Sequence, residues 1–119
     1  MRAFLIASAA LTALAAAALP KVGTVCVVND AAFIMDFQLK DMMTNIAGNT
    51  TSKFDMLRTE CQFIKDVVPD VEHGDLIMPS VKAIAGDANT AVIYHNQTSE
   101  VATFSCRGTT LDYTCKLIQ

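Results

Sequence analysis

The sequence predicts a small all-β protein, an antiparallel β-sandwich or small barrel of about seven to eight strands closed by disulfides. Three observations point there. Apolar residues recur with a period of two, turn-forming residues interrupt the chain at short intervals, and four cysteines, an even count, fall in a chain of only 119 residues.

Residues 1–18, MRAFLIASAALTALAAAA, read as a secretory signal peptide. Arg2 supplies the basic start, Phe4 to Leu14 the apolar run, and Ala16 and Ala18 the small residues of a cleavage site after Ala18. A membrane-spanning helix needs about 20 strongly apolar residues; this run is shorter, mostly alanine, and followed by Pro20. No second apolar run of spanning length follows, so the expectation for residues 19–119 is a single domain without a transmembrane segment.

Val22–Val28 is rich in β-branched residues and ends at the turn pair Asn29-Asp30. Phe33–Leu39 alternates, with Phe33, Met35, Phe37 and Leu39 on one face, as a half-buried strand does. Asn45–Ser52 is a polar loop containing Gly48. Phe54–Leu57 is a short candidate strand and Thr59–Ile64 a better one, although Lys53–Ile64 also has helix-forming residues. Val67–Gly74 is a connection.

Asp75–Ala85 is apolar but contains Pro79, which has no N–H for a ladder and predicts a bulge or an edge position. Gly86–Asn89 reads as a turn, Ala91–Tyr94 as a strand, and His95–Glu100 as the next turn. Val101–Cys106 and Asp112–Ile118 are strands around a turn at Gly108–Leu111. Short connections predict that the last four strands form a meander.

All four cysteines, Cys26, Cys61, Cys106 and Cys115, follow the leader, and in an exported chain they read as two disulfides. Of the three possible pairings, hairpin geometry favours Cys106–Cys115, which leaves Cys26–Cys61 as the long-range bridge. Their spacing lacks the close pairs of structural zinc sites. Asn49-Thr50-Thr51 and Asn96-Gln97-Thr98 are N-glycosylation triplets in polar stretches, a pattern that also arises by chance.

Composition narrows the functional classes. Twelve acidic side chains against nine basic ones give a net charge of −3, more negative still without Arg2, and the basic residues are scattered singly. That argues against nucleic-acid binding. The aromatics (Phe33, Phe37, Phe54, Phe63, Tyr94, Phe104, Tyr113) mostly take inward strand positions, and the absence of Trp weakens lectin and membrane-anchor readings. The methionines, including Met42-Met43, read as core filler before they read as a binding face.

Asp66, Asp70, Glu72, His73 and Asp75 form the densest polar cluster, whose carboxylates suit calcium in type. Their spacing matches no calcium-loop or zinc-helix motif, and a solvated loop is the simpler reading. A catalytic triad would require His73 or His95 beside a hydroxyl and an acid, but no G-x-S-x-G or other catalytic or cofactor motif is present. Arg107-Gly108-Thr109-Thr110 lies between two cysteines, so it reads as a displayed recognition loop or simply as a turn that uses Gly108.

The leading expectation is therefore a secreted, noncatalytic binding module without a cofactor, meeting a protein, glycan or lipid surface outside the cell. Two alternatives stand beside it. One is a membrane-associating sandwich, comparable to aegerolysin-like and actinoporin-like proteins in architecture only. The other is a small hydrolase or a protease inhibitor.

Overall fold

Two β-sheets pack face to face in the computed structural model, which describes residues 19–83, 87–89, 91–94, 100–109 and 112–118. The strands are β1 Lys21–Val22, β2 Thr24–Asn29, β3 Asp36–Asp41, β4 Ile46–Ala47, β5 Thr59–Phe63, β6 Leu76–Lys82, β7 Asp87–Asn89, β8 Val92–Tyr94, β9 Val101–Thr109 and β10 Asp112–Leu117, with one short helix, α1, at Ile64–Val67. One sheet runs β1-β8-β6-β3-β4, with β7 also on β6; the other runs β10-β9-β2-β5. The architecture is the disulfide-bonded β-sandwich that the sequence predicts.

Alternation builds the core. Phe37 and Leu39 of β3 and Ile77 and Val81 of β6 face Val25 and Val27 of β2 and Ala102 and Phe104 of β9, and all are buried. Val22 and Val25 lie on different sheets, because the chain crosses between layers at Gly23. The N–H of Gly23 donates to Glu100 O and its carbonyl accepts from Ile64 N, so the crossing leaves no main-chain group of this residue unpaired.

Several local expectations are corrected. β1 pairs parallel with β8 and β2 pairs parallel with β9, so the sheets are mixed rather than purely antiparallel. The last strands do not form a meander, because β9 leaves the sheet of β6 and β8 and enters the other layer. Asp87–Asn89 is strand and not turn: its pairing with Ser80–Lys82 overrides the local turn preference. Phe54 forms only an isolated bridge to Met35, while Ile46–Ala47, inside the expected loop, pairs with β3.

Pro79 is buried in a central strand, at neither an edge nor a bulge. Just past β3, Met42 N–H donates to Leu76 O of β6, and alternation then turns the nitrogen of Pro79 away from β3, toward the flank shared by β7 and β8. On that flank β8 pairs with Leu76 and Ile77, and β7 with Ser80–Lys82. The missing donor therefore falls in the gap between the two short partners.

Candidate functional site

Both disulfides form, as Cys26–Cys61 and Cys106–Cys115, and no described cysteine is free. Each joins directly opposed residues of antiparallel neighbours, β2 with β5 and β9 with β10, at a Cα–Cα distance of 4.0 Å. Cys26 and Cys61 sit on the outer face of their sheet, opposite in sense to Val25 and Val27. Cys106 belongs to the core, with Cys115 packed against it.

The second bridge defines a hairpin whose two faces do different work. On the inner face Tyr113 reaches across the sandwich: its hydroxyl donates to Val81 O at 2.9 Å and accepts from Ala83 N at 3.1 Å, and its ring meets Phe33 edge-on at 5.3 Å. Gly108 is opposite Tyr113 and has φ +129°, and a Cβ there would collide with Asp112 O and the Tyr113 backbone. Glycine is thus required by both the backbone angle and the close approach.

On the outer face Arg107 is paired with Thr114 and Ser105 with Lys116. These four line a depression of about 370 Å³ together with Leu117 and Ile118. Asp30 accepts a hydrogen bond from Ser105 Oγ and stands 4.0 Å from Arg107 Nε. Arg107 remains 77% exposed, so this ion pair is solvent-screened and leaves the guanidinium accessible. The expected recognition loop is placed differently in detail: Arg107, Gly108 and Thr109 belong to β9, Gly108 faces inward, and Thr110 lies outside the described residues.

The loop ahead of β3 is organised by Asn29. Its side-chain amide donates to Phe33 O and Phe54 O, and its Oδ1 accepts from Ala31 N. This buried amide holds residues 29–35 against 54–58, and beside them opens a second cavity of about 470 Å³ lined by Phe33, Ile34, Met35, Asp36, Lys53, Lys82 and Ala83.

Asp41 is the residue that the sequence reading missed. It continues the inward stripe of Phe37 and Leu39 and is fully buried. Its Oδ1 accepts from Met43 N at 2.8 Å, while Oδ2 has no well-formed hydrogen bond among the described residues. Burial, then the neighbouring Asp75 carboxyl, pushes the Asp41 carboxyl above its ordinary value. The period-two pattern carried this signal, since Asp41 falls two residues beyond Leu39.

The acidic cluster does not assemble into a cage. Asp66 is on α1, Asp70 holds a left-handed backbone with φ 55°, and Asp75 turns its Oδ2 to Glu72 N. Among the described residues no three His, Cys, Asp or Glu side chains converge as metal ligands. Asn49 is exposed, its carbonyl accepts from Gln62, and Thr51 of the same triplet bonds to the Phe37 backbone. His95, Asn96 and residues 1–18 lie outside the described residues. Phe63 is 64% exposed rather than inward-facing, because β5 is an edge strand and Phe63 shares the outer face of Cys61.

Comparison with protein-family models, with curated proteins and with solved structures finds no match to this chain. No described helix is long and apolar enough to cross a membrane. The two disulfides suit an oxidising compartment.

Proposed function

We propose that this protein is a secreted, noncatalytic binding module that meets an acidic partner on a cell or matrix surface through the outer face of the Cys106–Cys115 hairpin. The observation that carries this reading is the depression at Ser105, Arg107, Thr114 and Lys116. It offers two exposed cations and the Thr114 hydroxyl on a covalently closed hairpin, with Asp30 held to one side by Ser105, in a chain that is acidic overall. Such a local reversal of charge favours an anionic partner and limits nonspecific contact. Secretion rests on the leader at residues 1–18, and Asn49 and Asn96 are the proposed glycan acceptors.

The test is attachment of the labelled protein to intact cells, compared with the double variant Arg107→Glu/Lys116→Glu. Both side chains are exposed, so the variant retains the fold, and attachment falls by about tenfold if two solvent-accessible charge contacts are lost. Undiminished attachment rejects the hairpin as the contact surface. Intact mass and non-reducing peptide mapping of secreted material test leader removal and glycan occupancy together.

One observation favours a second reading, association with a lipid surface. Met42, Met43 and Ile46 are exposed around the β3–β4 turn, with Met43 at 70%. Sedimentation with vesicles separates the readings: lipid association is sensitive to Met43→Ser and indifferent to the charge reversal at Arg107 and Lys116.

A further inference from the structure

The cavity ahead of β3 is chemically unlike the hairpin surface. Phe33, Ile34 and Met35 all contribute to it, although consecutive residues of a regular strand would point to opposite faces. They do so because β3 begins only at Asp36, and the preceding segment is shaped by the Asn29 amide and by the Met35–Phe54 bridge. Met35 is buried in the core, whereas Ile34 is 52% exposed, so the apolar lining runs continuously from the interior to the surface.

The charges sit at one part of this lining. Lys53 and Lys82 are both exposed, and among the described lining residues Asp36 is the one carboxylate, directly opposite Lys82 in the β3–β6 ladder; on the other flank of β6, Lys82 is the register partner of Asp87, which does not line the cavity. Neither lysine makes an ion pair within 4.0 Å among the described residues. The described lining thus combines an apolar wall with two lysines against one carboxylate, in a chain whose net charge is −3. Its volume of about 470 Å³ lies in the ordinary range of small-molecule sites.

We infer that this cavity binds a single-chain anionic amphiphile, with the hydrocarbon against Phe33, Ile34 and Met35 and the anionic head at Lys53 and Lys82. An apolar neutral molecule would leave the lysines without an electrostatic role in binding. A cationic amphiphile would meet like charge at both.

Titration calorimetry with decanoate, decanol and decyltrimethylammonium, kept below their aggregation concentrations, tests this on the full secreted chain. Decanoate binds at one site, decanol binds more weakly, and the quaternary ammonium does not bind. The double variant Lys53→Glu/Lys82→Glu weakens decanoate by about tenfold, as expected for two exposed charge contacts. Ile34→Asp, which alters a half-exposed side chain, also weakens decanoate, and unchanged circular dichroism shows that both variants are folded. Absence of decanoate binding, equal binding of the cationic amphiphile, or unchanged affinity in the lysine variant overturns the assignment. Because the hairpin charges at Arg107 and Lys116 are not involved, their reversal leaves decanoate affinity unchanged; a matching loss there overturns this site as well.

Discussion

The two sheets are stabilised by different means. In the four-stranded sheet the edge strands are β5 and β10, and each is tied by a disulfide to its inner neighbour. Neither edge strand contains a fully buried residue: the least exposed positions of β5 (Glu60 and Gln62) and of β10 (Tyr113 and Cys115) are only half-buried. The six-stranded sheet has no described disulfide, but its central strands bury Phe37, Leu39, Ile77, Pro79 and Val81. The bridges therefore tie the half-buried edge strands of the four-stranded sheet to its interior, whereas the buried central strands of the other sheet are held by packing and ladder hydrogen bonds without a described disulfide. A small domain with a modest core gains most from such a division.

The largest expected effect breaks the stapled sheet. Cys26→Ser/Cys61→Ser opens a bridge with a sequence separation of 35, and the chain-entropy model assigns it about 4 kcal/mol. Cys106→Ser/Cys115→Ser opens a separation of 9, for about 3 kcal/mol. Urea midpoints of the two double variants measure both losses. A larger loss at Cys106–Cys115 would show that its core contacts outweigh loop entropy, because only that bridge faces inward.

The connection between the sheets is sharpened by Tyr113→Phe. This change keeps the ring against Phe33 but removes the hydroxyl that joins β10 to Val81 and Ala83, and it costs about 1–2 kcal/mol in the same assay. A loss near zero would mean that the sheets are joined by apolar packing alone.

The smallest effect lies in the unstapled sheet and has the opposite sign. Because burial and the neighbouring Asp75 carboxyl raise the Asp41 pKa, the folded state holds the Asp41 proton more firmly than the unfolded chain does, and ionised Asp41 weakens the fold at pH above its raised value. Stability contributed by this group rises as pH falls through the raised value toward the ordinary carboxylate range. Asp41→Asn keeps an acceptor for Met43 N, raises stability at about pH 7 by up to about 1 kcal/mol, and flattens the slope between about pH 7 and the ordinary carboxylate range at about pH 4. Denaturant midpoints at the two pH values check it; an unchanged slope would remove Asp41 as its source.

Legibility followed the range of the interactions. Strand β3 was readable from Phe37 and Leu39, and the hairpin bridge from the spacing of Cys106 and Cys115. Asp87–Asn89 was misread because its local turn preference is outweighed by pairing with β6, a contact outside its own sequence window. The hairpin charges were half legible: Arg107 was singled out, but Lys116 and Ser105 join it only through strand register. The amphiphile cavity was not legible at all, since Lys53 and Lys82 are brought to Phe33–Met35 by the Asn29-bound loop and the β3–β6 ladder.

By itself the sequence determined the local quantities: the period of two, the even cysteine count, and the turn residues that make short strands. Only the tertiary structure decided how those strands are shared between two sheets, which pairs run parallel, and which side chains meet across the layers. The physical reason is that alternation specifies which face of a strand is buried but not its partner. Partner choice depends on nonlocal pairing and burial, such as β2 beside β9 and Tyr113 beneath Val81.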